Sequence, residues 1–112
     1  MNEDLWVQEF QGAITVCNKE GTIIRLNDKA CKIFEKDGGK DLIGTNVLDC
    51  HPGLSRTKLA EILKNGVQNI YTIEKNGVKI LIYQTPWYKN GEYMGIMELE
   101  LEIPSEMPHY IR

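Results

Sequence analysis

Cys50, His51 and Pro52 stand side by side, and they offer the most chemistry of any stretch in this 112-residue chain. A thiolate and an imidazole are both good ligands for metals and for haem iron. Adjacent residues rarely ligate one metal together, however, and no further Cys or His lies at zinc-like spacing, so no metal site is assigned. A nucleophilic role for Cys50 would need a base oriented towards it. His51 next door points elsewhere on most backbones, and no Asp or Asn completes the constellation, so no residue is assigned as catalytic and the chain reads as a non-enzyme. The simpler reading makes Cys50 a small buried hydrophobe and lets Asp49 and Pro52 shape a turn.

The composition narrows the class of protein around these residues. The length suits one domain with a single core. A net charge of −3 provides no basic face for nucleic acid, so no direct nucleic-acid partner is expected. No apolar run approaches the roughly 20 residues that span a bilayer. The acidic N-terminus MNEDLW lacks the basic segment of a signal peptide. Cys17, Cys31 and Cys50 are odd in number and widely spaced, which points to reduced thiols. A cytoplasmic protein is expected, with no membrane partner.

The elements that must position these residues are clearest at the C-terminal end. Asn76-Gly77 and Asn90-Gly91 divide residues 67–103 into three strands, because Asn-Gly tolerates the positive φ of a tight hairpin turn. The last strand alternates, with Met97, Leu99, Leu101 and Ile103 on one face and Glu98, Glu100 and Glu102 on the other. The middle strand is apolar on both faces and should be covered on both.

Upstream, residues 2–11 suit a short helix carrying Trp6 and Phe10 on one side, with Glu3 and Asp4 at its start. Residues 13–17 and 22–26 form a first hairpin around a turn ending in Gly21. Asn27 or Asp28 caps a helix to about Lys36, stopped by Gly38-Gly39. Ser55 is the expected cap of a further helix to Asn65, with Leu59, Ile62 and Leu63 as its buried stripe. Strands flanking a helical block argue for an α+β fold: one five-stranded antiparallel sheet with short helices over one face. The boundaries read as an N-terminal helix or cap over 1–11, a domain over 12–103 and a tail over 104–112. A cavity between sheet and helices is the natural place for a small ligand.

Three stretches in this order resemble a PAS domain. The first is Ile14, Val16, Asn18, Gly21, Ile23 and Asn27 around the first hairpin. The second is Leu42, Ile43, Gly44, Asn46, Asp49, His51 and Pro52. The third is Thr85, Pro86 and Trp87 ahead of Asn90-Gly91. Asn18 stands where the family usually has Asp, and Pro104 follows the last strand where the family often continues into a signalling helix. With no kinase, cyclase or DNA-binding segment in the 112 residues, the expectation is a solitary sensory module acting on a separate output protein.

The resemblance implies a sensor in signal transduction or regulation of transcription. It binds a small ligand or partner in the cavity and dimerises through the outer sheet face and N-terminal helix. Two further readings stand beside this one: a haem or other cofactor sensor using His51, and a pure protein-interaction domain with a filled cavity. Light-sensing relatives carry a reactive Cys after the Asn of the second motif. Here that position is Val47, so a flavin photoadduct is not expected there. The cofactor is otherwise unknown.

Strand parity then assigns the faces. Ile80, Ile82 and Gln84 share the parity of Pro86, which usually points inward in the family, and Met97 and Leu99 are placed with them. Ile70 joins from the first meander strand, Phe34, Leu59 and Ile62 from the helices, and Cys50 and His51 from the segment between. The outer, dimer-forming set is Tyr71, Ile73, Leu81, Tyr83 and Trp87, with Trp6 and Phe10. Gln84 is the polar exception that needs a partner. A register slip of one residue would exchange the two faces.

Overall fold

Both Asn-Gly pairs adopt the backbone their types favour: φ is 54° and 78° at Asn76 and Gly77, and 51° and 82° at Asn90 and Gly91. The computed structural model describes residues 5–112. In chain order these form α1 (Leu5–Gln8), β1 (Ala13–Cys17), β2 (Ile23–Leu26), α2 (Asp28–Ile33), α3 (Gly53–Asn65), β3 (Asn69–Lys75), β4 (Val78–Lys89) and β5 (Glu92–Ile103). Three 3-10 turns, Glu35–Asp37, Gly39–Leu42 and Val47–Cys50, link α2 to α3. The strands make one antiparallel sheet in the order β2-β1-β5-β4-β3, the α+β architecture read from the sequence. The last strand is therefore the centre of the sheet, and it joins the first hairpin to the meander.

Local chemistry explains the helix ends. Asn27 is fully buried and caps α2. Its Oδ1 accepts from the amides of Ala30 (3.1 Å) and Ile14 (2.9 Å), while its Nδ2 donates to the carbonyls of Gly12 (2.9 Å) and Val7 (3.1 Å). One side chain thus ties together α1, the start of β1 and α2. α2 stops at Ile33, earlier than expected, because Phe34 leaves the helical region and Gly38 takes a left-handed φ of 118°. α3 begins at Gly53, directly after Pro52, so Ser55 is not its cap. It ends at left-handed Gly66, with Leu59, Ile62 and Leu63 buried. Of the helix expected over 2–11, the described part is the single turn of α1; residues 2–4 lie outside the described residues.

The core sits between sheet and helices in two clusters that meet at Val47. One holds Cys17, Leu59, Ile62, Leu63 and Ile96; the other holds Ala13, Ile23, Leu26 and Ala30.

The β4–β5 register decides what each face carries. Lys89 pairs with Glu92 and Tyr88 with Tyr93, as a two-residue turn dictates, but Trp87 pairs with Gly95. Met94 is thus an extra residue, a β-bulge, and from there on β5 is turned over relative to β4. Gly95 permits the bulge: its φ is 151°, and a Cβ there would lie 2.0 Å from the Cys17 carbonyl oxygen. Past the bulge, Gln84 lies opposite Glu98 and Ile82 opposite Glu100. Without it, Met97 and Leu99 would have taken those places, which is the placement strand parity predicted. Met97 and Leu99 instead lie on the face away from the helices, with Leu81 and Tyr83.

The β3–β4 hairpin has no such shift. Its two-residue turn sets Ile70 opposite Tyr83, Tyr71 opposite Ile82 and Ile73 opposite Ile80. Ile70 therefore belongs to the outer face, and Tyr71 and Ile73 to the helix face, the reverse of the sequence-based assignment.

Candidate functional site

The inner face of the sheet carries a row of polar side chains. Thr15 on β1 lies opposite Glu98 on β5, Glu98 opposite Gln84 on β4, and Gln84 opposite Asn69 on β3. Asn69 Nδ2 donates to Gln84 Oε1 at 3.0 Å, and Gln84 Nε2 donates to Glu98 Oε1 at 3.3 Å. Both hydrogen bonds point the same way, ending on the carboxylate. Burial pushes the Glu98 carboxyl pKa up; the Gln84 hydrogen bond and the nearby His51 pull it down, and Glu100 adds to the rise.

His51 faces this row from the segment between the helices. It follows the 3-10 turn Val47–Cys50, which Asn46 caps by accepting from the Leu48 amide. The imidazole Nδ1–H donates to the Val47 carbonyl at 2.7 Å, which leaves Nε2 as the nitrogen able to accept from or ligate a guest.

Two lobes and a neck surround His51. One lobe, of about 340 Å3, lies between α3 and β3–β4 and is lined by Leu54, Ser55, Lys58, Leu59, Ile62, Asn69, Tyr71 and Gln84. The second, of about 220 Å3, is lined by Thr15, Ile23, Leu26, Phe34, Asp37, Leu42, Val47, Cys50 and Glu98. The neck, of about 50 Å3, is bounded by Thr15, Cys17, Val47, Leu59, Gln84, Ile96 and Glu98. His51 lines all three spaces. The volumes suit small organic ligands.

The structure gathers Phe34, Cys50, His51, Leu59, Ile62 and Gln84 around this space. Ile82 is 3 % exposed, on the same face between Tyr71 and Glu100. Ile80 lines a separate groove of about 280 Å3 with Ile33, Ile73, Lys75, Glu100 and Glu102. Ile70, Met97 and Leu99 are on the other side of the sheet. Sequence reasoning missed Thr15, Asp37, Asn69 and Glu98. Asn69 was recoverable by counting from the Asn76-Gly77 turn; Glu98 was not, because the bulge inverts the count.

Cys50 is exposed rather than a buried hydrophobe. Among the described residues no group of His, Cys, Asp and Glu is placed to hold a metal ion. On the outer face, Leu81 and Tyr83 are half-buried, as is Trp87, whose indole Nε1–H donates to the Cys17 carbonyl at 3.0 Å. Trp6 is 75 % exposed on α1, and Phe10 sits beside Gly12 and Leu101.

A family model described as PAS domain matches residues 11–99. The chain belongs to the PAS domain family. Among solved structures, this PAS domain is similar to one from the Aer2 receptor of Vibrio cholerae, described as a dual PAS-heme oxygen sensor. The two share 17% identity and a TM-score of 0.68, over 84% of this chain and 96% of that one. It is similar also to the PAS domain of an HTR-like protein from Haloarcula marismortui, at 14% identity and a TM-score of 0.61, over 89% of this chain and 93% of that one. A third is VqmA bound to DPO, at 11% identity and a TM-score of 0.63, over 88% of this chain and 55% of that one. At these identities the likeness is one of fold. The search of curated proteins returned no match.

The Aer2 likeness raises haem, and the residues of this PAS domain can be tested against it. His51 Nε2 is available as an axial ligand. The rest does not fit. A flat macrocycle needs one wide apolar slot, whereas this space is pinched at the neck and floored by Glu98, Gln84 and Asn69. Among the described residues no helix is long and apolar enough to cross a membrane.

Proposed function

We propose that this PAS domain is a sensory module that reads a small, hydrogen-bonding organic molecule in the space around His51. The observation that carries this is the Asn69–Gln84–Glu98 relay, three polar side chains aligned along the floor of a cavity instead of a packed apolar interior. A cavity with a few placed polar groups among apolar walls is the usual form of a small-molecule site. VqmA, similar in fold, is described as bound to DPO, which accords with a ligand-binding role. The role read from this relay is recognition of the ligand.

The signal leaves through the outer face as a homodimer, acting on a separate output protein in signal transduction or transcriptional regulation. Val16, Leu81, Tyr83, Met97, Leu99 and Leu101, all partly exposed, give that face an apolar character, and apolar faces of this type mark interaction surfaces. Three free cysteines, Cys17, Cys31 and Cys50, favour the cytoplasm as its compartment.

Native mass spectrometry of the freshly purified protein, followed by thermal-shift screening of small molecules, tests both parts. A bound small molecule or a stabilising hit that is lost in Gln84→Leu supports the ligand reading. A dimer with no bound molecule and no hit overturns it in favour of a pure interaction domain.

A further inference from the structure

We propose that the lobe between His51 and Glu98 is selective for a small organic cation, an ammonium group on an apolar body about the size of one ring. The inference rests on the ligand reading above and names the class of ligand. The lobe has a polar end and apolar walls. Leu26, Phe34 and Val47 supply walls, and Thr15 and Glu98 stand side by side on neighbouring strands at the polar end.

Gln84 occupies Oε1 of Glu98, and no hydrogen bond among the described residues reaches Oε2. That oxygen is not sealed in the interior either, since no buried side-chain N or O lacks a partner among the described residues. Oε2 is therefore the acceptor the lobe offers. The Thr15 hydroxyl beside it is a second acceptor.

Charge decides between a cation and a neutral donor. Asp37, exposed, lines the same lobe, and neither Lys nor Arg does. His51 commits Nδ1–H to the Val47 carbonyl: neutral, its Nε2 accepts from the guest, and protonated, it competes with the guest for Glu98. An anion would meet two carboxylates, and a neutral guest would leave Glu98 with its burial cost. A cation restores to the carboxylate what burial removed, and Asp37 favours its entry.

The test uses three probes of one shape: benzylamine, benzyl alcohol and phenylacetate, titrated by heteronuclear NMR into the full 112-residue chain. Benzylamine is expected to shift Thr15, Val47 and Glu98 and to bind at least about tenfold more tightly than the alcohol. Glu98→Gln should abolish that preference by weakening benzylamine at least about tenfold, as removal of one partner of a buried charge pair predicts. Asp37→Asn alters an exposed position with little risk to folding, and should weaken benzylamine about two- to threefold, narrowing its margin over the alcohol. Equal or tighter binding of the alcohol or phenylacetate overturns the cation preference while the ligand reading stands. So does benzylamine binding that neither Glu98→Gln nor Asp37→Asn alters. Absence of binding by all three, together with no hit in the thermal-shift screen, overturns both.

Discussion

Gln84 donates to Glu98 across the β4–β5 ladder at 3.3 Å, on the face covered by helices, although both lie in strands whose apolar residues dominate. The pair is a cost to the fold, because burial holds the Glu98 carboxyl pKa above its ordinary value. At low pH folded and unfolded chains both hold the proton. As pH rises through the ordinary carboxylate range the unfolded chain releases it first, and stability falls until the folded carboxyl has ionised too. Glu98→Gln should therefore melt above the wild type at neutral pH, with the difference shrinking on acidification. Melting curves of both proteins between pH 4 and pH 8, at about one-unit steps, check this over the window where carboxylates titrate.

Gly95 should tolerate no side chain. Gly95→Ala adds a Cβ 2.0 Å from the Cys17 carbonyl oxygen at a φ of 151°, so either the bulge or the β1–β5 pairing must give way. A loss of roughly 2–4 kcal/mol is expected in urea denaturation, the scale of a strained backbone combined with a backbone clash.

Asn27→Ala should cost roughly 3 kcal/mol, since it removes a helix cap and leaves buried backbone groups of Gly12 and Ile14 unpaired. Hydrogen exchange should also rise in α1, because the Asn27 bond to the Val7 carbonyl is lost.

The outer face is better probed at Leu99 or Tyr83 than at Trp87, whose indole is already engaged with Cys17. Leu99→Glu or Tyr83→Glu should raise the dimer dissociation constant at least tenfold, about 1.4 kcal/mol, in sedimentation equilibrium. The circular dichroism spectrum should remain that of the folded protein.

Haemin added to the purified protein should give no sharpened Soret band, and His51→Ala should behave identically. A band that disappears in His51→Ala would show that the neck opens enough to admit the macrocycle.

Much of this molecule was legible in its residues because the rules involved act over a few positions. Asn76-Gly77 and Asn90-Gly91 require left-handed backbone, which placed both hairpins. Asn27 is a strong cap, and the spacing of Leu59, Ile62 and Leu63 marks one helix face. From the stretch 42–52, Leu42, Val47, Cys50 and His51 line the cavity.

Which face of β5 meets the helices was decided only by the assembled sheet. Its Met-Leu-Leu-Ile alternation was clear, but alternation has no sign until a neighbouring strand supplies one. Gly95 lets β5 pass close to Cys17, Met94 bulges, and the strand turns over. Glu98 is thereby carried under the helices beside Thr15 and Gln84, and Met97 and Leu99 to the outer face. A local reading cannot anticipate this, because the contact that sets the bulge joins residues nearly eighty positions apart in the chain.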